Sequence, residues 1–261
     1  MILDTIALST KSRVERAKAR VPYTKMKEKA LSAPVESSFR FEKALRKNEI
    51  SFICEVKKAS PSKGLIAEDF PYLQIAREYE SAGADAISVL TEPEFFKGDN
   101  TYLSEIRQEV SVPVLRKDFT VDDYQIYEAK TLGADAVLLI CALLDTETLK
   151  QYLAVCETLG LSALVEAHTK EEVQSALRAG ARVIGVNNRN LKTFEVDISI
   201  CTKLRALVPS DVVFVAESGI KTPREVAALK QANVNAVLIG ETLMRSRNKK
   251  SELSRLKGET Q

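Results

Sequence analysis

A chain of 261 residues, 45% hydrophobic and 28% charged, holds enough apolar material for one large core, and α/β barrels of this length fold as a single unit. Its 38 basic and 36 acidic side chains leave a net charge of +2, which excludes a global electrostatic pull toward nucleic acid or a membrane surface. No apolar run reaches the ~18 residues of a membrane span, no signal-peptide core opens the chain, and one histidine cannot supply a His-rich metal site.

Residues 1–48 are expected to form a basic helical extension, with "KSRVERAKAR" (Lys11–Arg20) and "YTKMKEKAL" (Tyr23–Leu31) as its helices. Glu15 and Glu28 break up its positive charge and no aromatic side chains are interleaved, so a capping segment is the better reading than a nucleic-acid arm. From residue 49 to 261, short apolar runs alternate with helical patterns. The first run is "SFICEVKK" (Ser51–Lys58), followed by "YLQIAREYESAG" and then by "GADAISVL" (Gly83–Leu90). "TYLSEIRQEV" leads to "VPVLRKDF" (Val112–Phe119), and "VDDYQIYEAKTLG" to "GADAVLLI" (Gly133–Ile140). "TETLKQYLAVCETLG" precedes "LSALVEAH" (Leu161–His168), and "KEEVQSALRAG" precedes "GARVIGVN" (Gly180–Asn187). The last two runs are "DVVFVAES" (Asp211–Ser218) and "NVNAVLIG" (Asn233–Gly240), introduced by "DISICTKLRALV" and "PREVAALKQAN".

Each run has the length of a buried parallel strand. Thr222-Pro223-Arg224-Glu225 offers an N-cap, a proline at the first helical position and a capping-box glutamate; Thr169 and Glu172 repeat the box. Gly83, Gly133, Gly160 and Gly180 stand where helices close. Strict alternation, eight times over, predicts a (β/α)8 TIM barrel with the N-terminal helical extension capping it. The even spacing of the units favours closure over an open doubly wound sheet. The echo of "GADA", "GADA", "GARV" and "NVNA" every fifty residues or so then marks two βα units, a quarter of the barrel. Cys54, Cys141, Cys156 and Cys201 form no CxxC pair, and two of them lie inside strand patterns. They predict reduced thiols in a cytoplasmic protein.

Barrel enzymes keep their chemistry at the C-terminal ends of the strands. Glu55 and Lys57, Lys117 and Asp118, Glu166, and Glu217 with Ser218 all fall there, and Asn187 and Arg189 follow "VIGV". Such charges could be a solvated rim; their convergence on one mouth favours a shared site. "AESGIKTP" and "LIGETLMR" set glycine between strands seven and eight and the next helices, the two loops with which barrels often hold phosphate.

These segments carry a resemblance. "EVKKASPSKG", "TEPEFFKG", "VLRKDF", "LVEAHT", "GVNNRNL", "AESGI" and "IGETLM", in order from about residue 50 to 245, resemble the indole-3-glycerol phosphate synthase family. The extension also looks like the helical cap of that family. The resemblance implies a lyase of tryptophan biosynthesis. It would convert 1-(2-carboxyphenylamino)-1-deoxyribulose 5-phosphate to indole-3-glycerol phosphate, carbon dioxide and water, with no cofactor and no metal. Residue by residue, it implies Lys117 as general acid, Glu166 as general base with Glu55 a second candidate, and Lys57 as an aid to dehydration. Asn187, Arg189, Phe96 and Ser60 would bind substrate; Ser60, Ser218, Gly219, Gly240 and the backbone at Glu241 would cradle phosphate. Glu241 stands where some relatives have serine, which brings a carboxylate close to a phosphate unless its side chain turns away. Cys54 replaces a familiar alanine, and His168 reads as a residue at the start of a helix.

Further expectations are a lid over residues 60–69, a Lys117 pKa brought down by nearby Lys57, and a monomer acting on a small phosphorylated substrate, with neither nucleic acid nor membrane as partner. The rivals are another phosphosugar barrel, such as phosphoribosylanthranilate isomerase or ribulose-phosphate epimerase, a Schiff-base aldolase on Lys117, and a non-catalytic phosphate-binding scaffold. The isomerase wants a cysteine–aspartate pair that Cys54 lacks, and the epimerase wants metal-binding histidines.

Overall fold

The computed structural model describes residues 2–34, 38–190 and 193–259. Eight strands close into a parallel barrel: β1 (Ser51–Val56), β2 (Ala86–Leu90), β3 (Val114–Lys117), β4 (Ala136–Ile140), β5 (Ser162–Ala167), β6 (Val183–Asn187), β7 (Val213–Glu217) and β8 (Ala236–Ile239). Neighbours in sequence pair in space, and Ser51↔Ala236 through Cys54↔Ile239 join β1 to β8 and seal the ring. The predicted (β/α)8 architecture is the one observed. Strand three starts later than its apolar run because Pro113, which has no N–H, precedes Val114.

The helices between strands are α4 (Tyr72–Ser81), α5 (Asn100–Glu109), α6 (Tyr124–Thr131), α7 (Thr146–Thr158), α8 (Lys170–Ala179), α9 (Ser199–Arg205) and α10 (Pro223–Gln231). Two more, α11 (Glu241–Arg245) and α12 (Lys249–Lys257), follow β8. The capping box at Thr222 and Glu225 is present in full. At α8 Thr169 Oγ1 accepts from Glu172 N at 3.2 Å, but the Glu172 carboxylate reaches one residue further back and accepts from His168 N at 2.6 Å.

The echo marks the floor of the barrel. Asp85 and Asp135, the acids of the two "GADA" copies, accept the N–H of Phe52 and Val114 at 2.9 Å, and Asn235 in the fourth copy accepts from Phe214 N at 2.8 Å. Each residue returns its own N–H to the same partner's carbonyl oxygen, at 2.9, 2.8 and 2.9 Å. A short acid or amide at the start of each of these even strands thus ties down the start of the odd strand before it. In the third copy Arg182 stands instead, with its side chain on Glu42 at 2.8 Å.

Three helices precede β1: α1 (Ile2–Arg20), α2 (Tyr23–Ser32) and α3 (Arg40–Leu45). They run from mouth to floor. Apolar side chains of α1 reach the mouth cavity, α2 packs on α6, and Phe41 and Leu45 of α3 are buried with the interior residues Ile53, Leu115, Leu138, Leu164 and Val215. The basic side chains of α1 include two that pair with the barrel, Arg13 with Asp118 and Lys18 with Asp122.

Candidate active site

On the odd strands, alternation places a charge at the mouth two residues beyond an apolar residue of the shaft. Glu55 and then Lys57 follow interior Ile53 on β1, Lys117 follows Leu115, Glu166 follows Leu164, and Glu217 follows Val215. The mouth holds a cavity of about 500 Å³, lined by all of the residues singled out above: Glu55, Lys57, Ser60, Phe96, Lys117, Glu166, Asn187, Arg189, Ser218, Gly219, Gly240 and Glu241. Leu191, the last residue of "GVNNRNL", lies outside the described residues.

Lys117 is the hub. Its Nζ lies 3.1 Å from Glu166 Oε2 and 3.3 Å from Glu217 Oε2. Lys57 pairs with Glu55 on its own strand. Asn187 donates Nδ2–H to Glu166 Oε1 at 3.4 Å and accepts the Arg189 N–H at 3.0 Å, while the Arg189 guanidinium donates to Phe194 O at 3.1 Å.

This arrangement overturns the expected depression of Lys117. Burial does work against its charge, but Glu166, Glu217 and Glu55 outweigh it and push the lysine well above its ordinary range. Lys57 exerts little opposing force because Glu55 takes up its charge. Burial also opposes ionisation of Glu166, yet Lys117 and His168 hold that carboxyl below its ordinary value. Glu217 goes the other way. Burial lifts it to about 7; Lys117 opposes the rise, and Glu166 and Glu55 add to it. Its Oε1 is buried without a hydrogen-bond partner among the described residues, in space that a Cβ at position 185 would fill were Gly185 any other residue.

On the other side of the cavity, Ser218 and Gly219 both adopt left-handed backbone, at φ +66° and +82°. A side chain at 219 would be strained by that φ and would strike Val196. Gly240 follows β8, where a Cβ would come within 2.9 Å of Lys57 Nζ and collide with Glu55. The Glu241 carboxylate lies 3.1 Å from Arg245 Nε and 3.6 Å from Lys63 Nζ, the latter on the loop over the cavity. Burial favours its neutral form, but the two cations keep its carboxyl below the ordinary range. Ser60 is buried in a two-residue antiparallel ladder, Ala59–Ser60 with Gly64–Leu65. Phe96 stacks at 5.8 Å on Phe119 and is held by Glu92, whose carboxylate accepts the N–H groups of Glu94, Phe95 and Phe96 at 2.9, 2.7 and 3.0 Å.

Two features of the site are given no role by the sequence reading. Glu217 reads there only as a strand-end charge, although its position two residues beyond Val215 follows the rule that places Lys117 and Glu166. Ile2, Leu3 and Ile6 of α1 form an apolar wall; their helical spacing was readable, but nothing local says which surface receives it.

The family model for indole-3-glycerol phosphate synthase matches residues 3–256. An indole-3-glycerol phosphate synthase of Ruminiclostridium cellulolyticum is 61% identical over 258 residues, covering 99% of each chain. That of Endomicrobium trichonymphae is 58% identical, covering 98% of this chain and 100% of the relative. Among solved structures, a thiamine phosphate pyrophosphorylase from Pyrococcus furiosus superposes with TM-score 0.60 at 18% identity, covering 82% of this chain and 96% of that one. A 3-hexulose-6-phosphate synthase gives TM-score 0.63 at 14% identity, covering 81% and 100%. These distant likenesses speak for the barrel alone.

Proposed function

This chain belongs to the indole-3-glycerol phosphate synthase family, and from that premise we propose how its residues divide the work. The enzyme is a carboxy-lyase acting on a small phosphorylated substrate. It closes the indole ring of 1-(2-carboxyphenylamino)-1-deoxyribulose 5-phosphate with loss of carbon dioxide and water. The observation that carries the division of labour is the Lys117 ammonium held between two carboxylates of opposite tendency.

Lys117 serves as the general acid. Its carboxylate neighbours keep it protonated at neutral pH, so it is loaded to donate to the ketose oxygen as the ring carbon attacks. Glu166, held ionised, serves as the base that takes a proton when aromaticity returns. Glu55 orients Lys57, which aids departure of the hydroxyl. Arg189, two residues beyond Asn187, steadies the anthranilate carboxylate, and Phe96 flanks the aromatic ring. The phosphate rests on Ser60, on the left-handed turn at Ser218 and Gly219, and on the backbone at Gly240 and Glu241, with the Glu241 carboxylate neutralised by Arg245 and Lys63. Residues 60–69 close over the bound substrate, shutting out water. Four free cysteines support a cytoplasmic setting, and we take the working form to be a monomer, which light scattering with and without substrate checks.

The test is turnover, followed as the rise of indole fluorescence. Lys117→Met and Glu166→Gln should each slow kcat with KM little changed. Equal and modest losses in both, with wild-type pH profiles, would reduce the pair to a salt bridge and return the chemistry to Lys57 and Glu55.

A further inference from the structure

The only histidine of the chain stands directly behind the base. His168 lies two residues beyond Glu166, at the end of β5. Its Nε2 is 3.5 Å from Glu166 Oε1, and its Nδ1 is 3.4 Å from Glu172 Oε2 on α8. Side-chain exposure rises along this row, from 4% at Glu166 through 15% at His168 to 23% at Glu172. Nε2 is buried and, among the described residues, has no hydrogen-bond partner. An imidazole nitrogen facing a carboxylate across that gap is the acceptor a newly protonated Glu166 would need. On the cavity side, Glu166 is occupied by Lys117 and Asn187.

We propose that His168 and Glu172 form a proton outlet for Glu166, leading the proton taken from substrate to the outer rim of the barrel. The inference rests on the reading of Glu166 as base. The O–H bond at Glu166 Oε1 breaks as an N–H bond forms at His168 Nε2. The Nδ1 proton passes to Glu172 Oε2, and Glu172 releases a proton to water. One proton crosses and no electrons change hands; a half-turn of the ring about Cβ–Cγ then carries the Nε2–H to the rim, where water takes it as Nδ1 regains a proton, and the ring returns with Nε2 free. His168 acts through Glu166 and is a positioning and proton-handling residue.

The groups facing the ring are Glu166 on its own strand, Glu172 on α8, Glu217 on β7 and, behind Glu166, Lys117 on β3; the Cys141 thiol after β4 donates to Glu172 O at 3.5 Å. Burial alone would depress the imidazole, but the three carboxylates raise it above its ordinary value, which suits a group that must accept from a carboxylic acid near neutrality.

Because the chain has one histidine, its imidazole gives one set of NMR signals, whose titration should move to lower pH in Glu172→Gln. His168→Gln should lower kcat about tenfold with KM within about twofold. In His168→Ala, added imidazoles should restore kcat in proportion to their basicity, a response that repacking cannot produce. Wild-type kcat and pH profile in His168→Gln would overturn the outlet, as would a loss that no imidazole relieves. If His168→Ala fails to fold, Glu172→Gln decides: slowed kcat at unchanged KM supports the outlet, and unchanged kcat sinks it. Glu166→Gln separates the two claims. Slow Glu166→Gln beside normal His168→Gln removes the outlet alone, whereas normal Glu166→Gln removes the base and the outlet together.

Discussion

At the floor of the barrel two half-buried acids are matched to their partners. Asp85 accepts the Phe52 N–H and pairs with Lys47; Asp135 accepts the Val114 N–H and pairs with Arg40 at 3.0 Å. At the mouth Glu55, Glu166 and Glu217 crowd round Lys57 and Lys117, and one oxygen of Glu217 has no hydrogen-bond partner among the described residues. The same residue types thus serve opposite ends. Matched charges lower the energy of the fold, while crowded ones hold protons in states that water would not allow. A barrel can sustain the second arrangement because the first is built into its other end.

The sharpest way to break the comparison is at the hub. Lys117→Met should cost a hundredfold or more in kcat, measured by indole fluorescence at saturating substrate. It should also destabilise the protein most at alkaline pH, where Glu166 and Glu217 ionise without their cation. At the floor the signs reverse: Asp135→Ala should leave kcat within twofold but cost about 1–3 kcal/mol in urea unfolding, since the Val114 N–H loses its acceptor. Loss of turnover there, at unchanged stability, would end the division between the two ends.

Glu217 sharpens it. The folded state binds its proton more tightly than the unfolded chain does. The resulting stabilisation is complete below about pH 4.5 and is lost as pH rises through about 7. Glu217→Gln keeps the neutral form, so its Tm should gain on wild type by several degrees between pH 5 and 8. A constant gap across that range would show that Glu217 ionises freely. The smallest effect belongs to Ser218, whose left-handed backbone strains any residue with a Cβ. Ser218→Gly should raise stability by about 0.5–1 kcal/mol while KM increases through loss of the hydroxyl; a lowered Tm would show that the turn is not strained.

What could be read from the chain beforehand follows from how local each signal is. Strand period, helix caps and the "GADA" echo are short-range, and they placed all eight strands; alternation and strand ends set Glu55, Lys57, Lys117, Glu166 and Ser218 at the mouth, whereas Ser60, Phe96 and the roles of the candidates came from the family resemblance. Long-range balance was not readable. The sequence pattern predicts a Lys117 depressed by Lys57, its neighbour in type; the outcome turns on Glu166 and then on Glu217, a hundred residues away in sequence, while Glu55 takes up the charge of Lys57. Arg13 in α1 looked like part of a solvated basic stretch; its bidentate grip on Asp118, at 2.6 and 2.9 Å, depends on a surface that forms only when the barrel does. Phe41 and Leu45 likewise gave no local sign that α3 would close the shaft.

The seam between β1 and β8 sets the order in which this protein can be completed. Ser51 leaves the ribosome early and its partner Ala236 late, and until β8 arrives the growing sheet has two open edges, at β1 and β7. Parallel neighbours from β1 to β7 can pair as they emerge, but the ring cannot shut, and the mouth that depends on its roundness cannot form, before the final tenth or so of the chain is made. A nascent chain stalled short of residue 236 is therefore a sticky, inactive curl of sheet.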